Sequence, residues 1–305
     1  MFSLDILTSA ALKEAVRSFS PDILHAFHAV RTGDVVAQIS DDWQLPYLIT
    51  ITGTELYRGG ETDFTEAESV LLKNAAALVV FHEVIGKKLL VELPAVIQLL
   101  KVIPQGVEIP GLNVPVSLPE IPFTFFLPSG IRPVKNILYC FRPLELLWRR
   151  YPQIRLVLAG PVLDASYAEK VVEAVVTHPF SSWIGEITNS AMPSLYRSAH
   201  VVLNTSLSEG GMANSILEGM AYNKPVLVSN IEGNRSIVAD AVNGYLFSSE
   251  MEFIDKAERL LLDMALRKRI AAAGREYVME NCSAGKEATS YHDLYNDILG
   301  KNREV

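Results

Sequence analysis

The segment Asn204-Thr-Ser-Leu-Ser-Glu-Gly-Gly-Met-Ala-Asn-Ser-Ile-Leu-Glu218 combines residue types that can hold a charged, hydroxyl-rich ligand. An apolar stretch ends near Asn204, Gly210 and Gly211 follow, and a helical pattern begins at about Met212 with Ala213, Ile216, Leu217 and Met220 on one face. Unpaired backbone amides at such a helix start, with the positive end of its dipole, attract anions, and glycines let a phosphate approach the chain closely. The spacing suits a diphosphate. Glu218, two turns further on, could accept hydrogen bonds from a vicinal diol such as a ribose. Taken alone, the segment reads equally as a capped structural helix with Glu218 in solvent.

A second cluster, Ser129-Gly-Ile-Arg-Pro-Val-Lys135, directly follows a strand candidate. Loops at the carboxyl ends of parallel strands are where open α/β sheets bind ligands, and Arg132 and Lys135 could both reach one phosphate there. Two basic residues in a turn are, by themselves, more often solvated. Thr52, Thr54 and Glu55, in Tyr47-Leu-Ile-Thr-Ile-Thr-Gly-Thr-Glu-Leu-Tyr-Arg58, offer hydrogen bonds to a hydroxyl-rich substrate or simply cap a strand end. His25 and His28 also lie at a strand end, where a packed or solvated role is commoner than proton transfer. The chain has no zinc-ligand spacing and no G-x-S-x-G elbow.

The elements that must position these residues alternate short β-branched runs with longer amphipathic ones, the pattern of α/β layers on parallel sheets. Strands are expected at 23–27, 47–52, 77–81 and 99–103, with helices at about 4–19 and 66–74. Five prolines between 104 and 122 mark a linker. The pattern then restarts, with strands at 123–127, 154–159, 182–184, 201–204 and 225–229. Helices are expected at about 145–150, 164–177, 192–198, 212–222 and 234–239, then one from 251 into the 270s and one over 284–299. The chain opens on a helical pattern and carries no G-x-G-x-x-G, so the first domain is expected to lack its opening strand and glycine-rich loop.

Composition narrows the function classes. The 305 residues are 49% hydrophobic and 20% charged, enough apolar material for two packed cores. A net charge of −8 argues against a nucleic-acid partner. The acidity is concentrated in residues 1–122, which carry 8 basic and 15 acidic groups, so a small anionic ligand is expected in the second half. Cys140 and Cys282 are too few and too separated for a disulfide framework. With Asp5 interrupting any signal-like start and no long apolar run, a cytoplasmic protein without an integral membrane segment is expected.

Taken in order, Gly130-Ile-Arg-Pro-Val-Lys135, Ile184-Gly-Glu-Ile187, Ser208-Glu-Gly-Gly-Met-Ala-Asn-Ser-Ile-Leu-Glu-Gly-Met220, Pro225-Val-Leu-Val-Ser-Asn-Ile-Glu-Gly-Asn234 and Asn243-Gly-Tyr-Leu-Phe247 resemble the group 1 (family 4-like) glycosyltransferases of the GT-B fold. The resemblance covers essentially all of residues 123–280. Pro21 to His28 and Thr50 to Tyr57 extend it, and the latter element with Glu232-Gly-Asn-Arg235 is most similar to a small bacterial branch that includes selenosugar synthases and to the vertebrate glycosyltransferase 1 domain-containing proteins.

The resemblance implies two Rossmann-like domains facing a cleft: 1–103 on the acceptor side, a 104–122 linker, 123–283 for the nucleotide sugar, and 284–305 as a helix crossing back to the first domain. It implies a retaining transferase that uses a nucleotide-diphosphate sugar, a UDP-sugar, as substrate, with no metal or other cofactor and with a small-molecule or glycan acceptor. Arg132 and Lys135 would hold the diphosphate, with Gly130 in the same loop. The amides of Gly210, Gly211, Met212 and Asn214 would cap it, Glu218 would hold the ribose, Glu186 or Ile187 would lie beside the base, and Glu209 would face the donor sugar. The pattern departs from the family in two further places: eight residues rather than seven separate Glu209 from Glu218, and Thr52 stands where many relatives carry a histidine. The alternatives are a non-catalytic nucleotide-sugar binder, or a subunit whose first domain a partner completes, and an epimerase on the same donors with His25 and His28 as its acid and base.

Overall fold

The computed structural model describes residues 9–56, 64–110 and 122–301. The chain divides into two compact units, residues 1–104 with 287–305, and residues 105–286.

In the first unit, β1 (Leu24–Phe27), β2 (Tyr47–Ile51), β3 (Ala77–Val80) and β4 (Leu100–Val102) form a parallel sheet in sequence order. α1 (Ser9–Phe19) precedes β1, and α2 (Ala29–Trp43), α3 (Glu66–Asn74) and α4 (Glu83–Glu92) connect the strands. Strand alternation sends Tyr47, Ile49 and Ile51 to one face, where they share a core with Val36, Leu72 and Leu89 of the three connecting helices. Leu48 and Val79 point to the other face and pack against Tyr291, Leu294 and Ile298. Those three residues form one stripe of α12 (Ala284–Lys301). A sheet covered on both faces explains why β2 is an unbroken buried run rather than an alternating one.

α2 and α4 had no counterpart in the sequence pattern. α2 is rich in β-branched residues and contains Gly33, all poor helix formers, yet Ala29, Gly33, Val36 and Ile39 make a buried stripe. A Cβ at Gly33 would stand 2.1 Å from Leu71 Cδ2, so the glycine is what lets α2 and α3 approach. α3 starts at a capping box, with Thr65 Oγ1 accepting from Glu68 N and Glu68 Oε2 accepting from Thr65 N.

The second unit contains β5 (Phe123–Pro128), β6 (Ile154–Ala159), β7 (Ser181–Trp183), β8 (Val201–Asn204), β9 (Val226–Ser229) and β10 (Tyr245–Phe247), all parallel in the order β10-β9-β8-β5-β6-β7. Its helices are α5 (Phe141–Arg150), α6 (Ala165–Thr177), α7 (Met192–Ser198), α8 (Asn214–Ala221), α9 (Glu232–Arg235), α10 (Glu250–Leu262) and α11 (Met264–Asn281). Phe123, Phe125, Leu156 and Leu203 from the strands pack with Leu144 and Leu147 of α5 and Phe253 of α10.

Several boundaries correct the sequence reading. The single helix expected from Met251 into the 270s is two, because the Asp263 side chain accepts from Leu266 N and starts α11 afresh. α8 starts at Asn214 rather than Met212, α9 at Glu232 rather than Asn234, and α5 four residues before Glu145. β10 was not anticipated. The proline-rich stretch is no free spacer at its start: Val107 bridges Ser283, its amide donating to Cys282 O at 2.8 Å, and the Arg275 guanidinium donates to Pro110 O. Residues 111–121 of that stretch lie outside the described residues. Residues 1–8, expected to begin the first helix, lie outside them too, and among the described residues no strand precedes β1. None of the described helices is long and apolar enough to cross a membrane.

Candidate functional site

The strand order of the second unit reverses at β5, which pairs with β6 on one side and β8 on the other. Chain segments leave the carboxyl ends of such neighbours in opposite directions and open a crevice there. A cavity of about 540 Å³ occupies it, walled by Ser129 and Gly130 after β5, Gly160 after β6, and Asn204 to Ser206 after β8. The first turn and a half of α8 and part of α7 complete the lining.

Two hydrogen bonds dock the loop after β8 onto the turn after β5. Leu207 N donates to Val134 O at 2.9 Å and Thr205 Oγ1 to Lys135 O at 3.0 Å. They bring together two residues 74 positions apart: Lys135 Nζ lies 2.6 and 2.8 Å from the two oxygens of Glu209. Asn204 Nδ2 (3.0 Å) and Ser206 Oγ (2.6 Å) donate to Glu209 Oε1 as well. Asn204 is fixed in turn: its Oδ1 accepts from Ser206 N and from Asn234 Nδ2, and Asn234 also donates to Ser229 O. Asn234 is fully buried, and Gly233 beside it runs directly under the glycine loop. A Cβ there would stand 2.7 Å from Glu209 O and 3.2 Å from Gly211 O. The Glu-Gly-Asn element is thus the floor on which Glu209 rests.

At the α8 wall, Tyr196 donates its hydroxyl to Glu218 Oε2 at 2.6 Å. The Tyr196 ring stacks on Tyr222 and meets Phe126 edge-on. Burial, and secondarily the Glu218 charge, push the Tyr196 phenol well above its ordinary range, so it stays a donor. Glu218 is therefore half-buried and oriented, not a solvated helix residue. The amides of Asn214 and Ser215, in the first turn of α8, have no carbonyl one turn back to bond.

Gly130, Lys135, Ile187, Glu209, Met212, Asn214 and Glu218 all line this one cavity; Arg132, Glu186, Gly210 and Gly211 do not. The backbone at Arg132 is extended and Ile131 is buried, so alternation turns the Arg132 side chain outward to solvent. The same alternation exposes Glu186 and turns Ile187 in. Gly210 and Gly211 precede the start of α8 by more residues than expected, which leaves Met212 to Ser215 on the cavity wall instead. Sequence reasoning missed Tyr196, Asn204 and Asn234. A tyrosine on a short helix carries no motif signal, although Asn234 stands in the Glu-Gly-Asn element itself.

In the first unit, Glu55 Oε1 accepts from Ala29 N at 3.2 Å and Thr52 N at 3.0 Å, and Oε2 accepts from Thr52 Oγ1 at 2.9 Å. Glu55 and Thr52 thus close a turn and the start of α2. His25 is packed between Thr50 Oγ1 (2.8 Å) and Tyr295 Oη (2.7 Å), and burial pulls its pKa down to about 4. That ring is neutral at neutral pH.

Comparison with known proteins agrees with this architecture. Residues 115–277 match the family model described as "Glycosyl transferases group 1". The chain is similar to the Xenopus tropicalis "Glycosyltransferase 1 domain-containing protein 1", at 31% identity over 170 residues, 56% of this chain and 49% of that protein. It is similar to the "Uncharacterized glycosyltransferase MJ1607" of Methanocaldococcus jannaschii at 25% identity over 305 residues, 92% of this chain and 77% of that protein. Among solved structures, Anabaena Alr3699/HepE in complex with UDP-glucose superposes with a TM-score of 0.78 at 16% identity, over 95% of this chain and 82% of that one. The chain spans about half the length of the Xenopus relative. With a matching model over more than half its residues and two parallel α/β units of GT-B type, this chain belongs to the group 1 glycosyl transferases.

Proposed function

We propose that the protein is a retaining glycosyltransferase that moves a sugar from a UDP-sugar to an acceptor hydroxyl without a metal ion. The observation that carries this reading is the combination, on the wall of one cavity, of the Lys135–Glu209 pair, the first turn of α8 and the Tyr196-held Glu218. The Anabaena neighbour, which holds UDP-glucose, supports uracil as the base.

In this reading Glu218 Oε1, with Oε2 already bonded, accepts from the ribose diol, and Ile187 packs beside the base. The diphosphate lies along Gly130 and the α8 amides of Asn214 and Ser215. Lys135 neutralises it, while Arg132, expected to share that role, faces solvent outside the cavity. The acceptor oxygen bonds to the anomeric carbon on the face from which the diphosphate departs. The breaking bond leaves its electron pair on the β-phosphate oxygen, which takes the acceptor proton. Fixed cations and oriented amides stabilise that developing charge because they need no reorganisation during reaction. Glu209, held by Asn204 and Ser206, faces the sugar and balances its oxocarbenium character.

Calorimetric titration of UDP and GDP with a chelator present tests the reading. UDP binding that Lys135→Ala and Glu218→Ala each weaken by about tenfold or more supports it, and transfer products of retained anomeric configuration complete it. Failure of the wild-type chain to bind either nucleotide refutes it.

A further inference from the structure

A second cavity, of about 150 Å³, lies at the opposite ends of the same strands, where β8 and β9 begin. His200 and Lys224, immediately ahead of the two strands, line it from one side, and Arg267 and Lys268 from the first turns of α11. All four ionisable residues in its lining are basic and none is acidic. The acidic residue nearest in sequence, Asp263, points its side chain at Leu266 N to cap α11.

These cations are held in place. Lys224 Nζ donates to Arg197 O at 2.8 Å, spending one of its three N–H bonds. Arg267 donates to Leu260 O and lies over the Phe123 ring, 5.0 Å from its centroid. His200 Nδ1 accepts from Thr124 N at 3.1 Å and its ring stacks on Phe123, so it forms a fixed part of the wall. Burial, and secondarily the neighbouring Arg267 charge, lower the Lys224 amine to about 8.

We propose that this cavity is a second ligand site, built for a single oxyanion of the phosphate class, free or as a terminal ester, held by Lys224, Arg267 and Lys268. Three cationic side chains in one small lining, with no acidic residue among them, match the negative charge of such a group, and the volume excludes a whole nucleotide. The site is independent of the donor cavity and of the reaction proposed there.

The test titrates inorganic phosphate, with glycerol 3-phosphate beside it, into the wild-type chain and into Lys224→Met, Lys268→Ala and Lys135→Ala. Saturable binding is expected, weakened about ten- to hundredfold by Lys224→Met and kept in Lys135→Ala. Lys268 is exposed, so Lys268→Ala separates lost binding from lost folding. Lysine spectra should show the Lys224 pKa rising from about 8 when phosphate is bound. Glycerol 3-phosphate binding as well as phosphate assigns the site to an ester, and weaker binding assigns it to the free ion. Binding that is lost in Lys135→Ala, or unchanged in both Lys224→Met and Lys268→Ala, overturns the proposal.

Discussion

Replacing Tyr196 with phenylalanine isolates one hydrogen bond at the proposed ribose site. The phenol donates to Glu218 Oε2 at 2.6 Å, while the ring is gripped by Tyr222 and Phe126 on contacts that do not use the hydroxyl. Tyr196→Phe therefore leaves the wall in place and releases one carboxylate oxygen. Ordering a freed glutamate side chain costs up to about 1.5–2 kcal/mol. Binding must then supply that ordering, so UDP affinity should fall about ten- to thirtyfold. The loss should be specific to nucleotides that carry the diol. 2′,3′-Dideoxy-UDP should bind the wild-type chain more weakly than UDP does and bind Tyr196→Phe equally well as wild type. Calorimetry on the two proteins and two nucleotides completes the cycle. An equal loss for both nucleotides would mean that the wall had collapsed, and unchanged UDP affinity would mean that Tyr196 does not orient Glu218; either result refutes the reasoning.

Lys135→Ala should weaken UDP binding and Glu209→Gln should not. The first removes a charge-assisted phosphate contact, for about a ten- to hundredfold loss, whereas the second frees Lys135 from its partner and leaves affinity equal or higher while transfer falls. Titration and a transfer assay on both variants check this, and parallel losses in binding would refute the assigned roles. Gly233→Ala places a Cβ 2.7 Å from Glu209 O, so a destabilisation of about 1–3 kcal/mol with reduced UDP affinity is expected in thermal melts and titrations. His25 has a pKa lowered to about 4 in the folded protein, against about 6.5 when unfolded. The unfolded chain thus binds the extra proton between those values, and stability present above pH 6.5 is lost as pH falls toward 4, by on the order of 3 kcal/mol. Urea unfolding of His25→Asn beside wild type at pH 7 and 4.5 should show a smaller pH loss in the variant; equal losses would count against the buried neutral ring.

The sequence by itself determined the parallel α/β architecture, because alternating short β-branched runs and amphipathic stretches have few other ways to bury their apolar faces. It placed β1 to β4, β5, β6 and β8 closely, and it marked the glycine loop, Arg132 and Lys135 for a diphosphate and Glu218 for a ribose diol, while Glu209 came only from the family resemblance. It could not place α2, whose β-branched residues and Gly33 argue against a helix until Leu71 is packed against it. Nor could it separate Arg132 from Lys135. Which of two nearby cations turns into the cavity depended on Ile131 being buried, a fact of packing rather than of local preference. Tyr196 and Asn234 act through partners 22 and 30 residues away, and no local pattern encodes such pairs. Propensity and periodicity act over a few residues and so are written locally. The pairing of Lys135 with Glu209, the floor under the loop and the second basic cavity arise only when distant segments meet, and tertiary structure alone decided them.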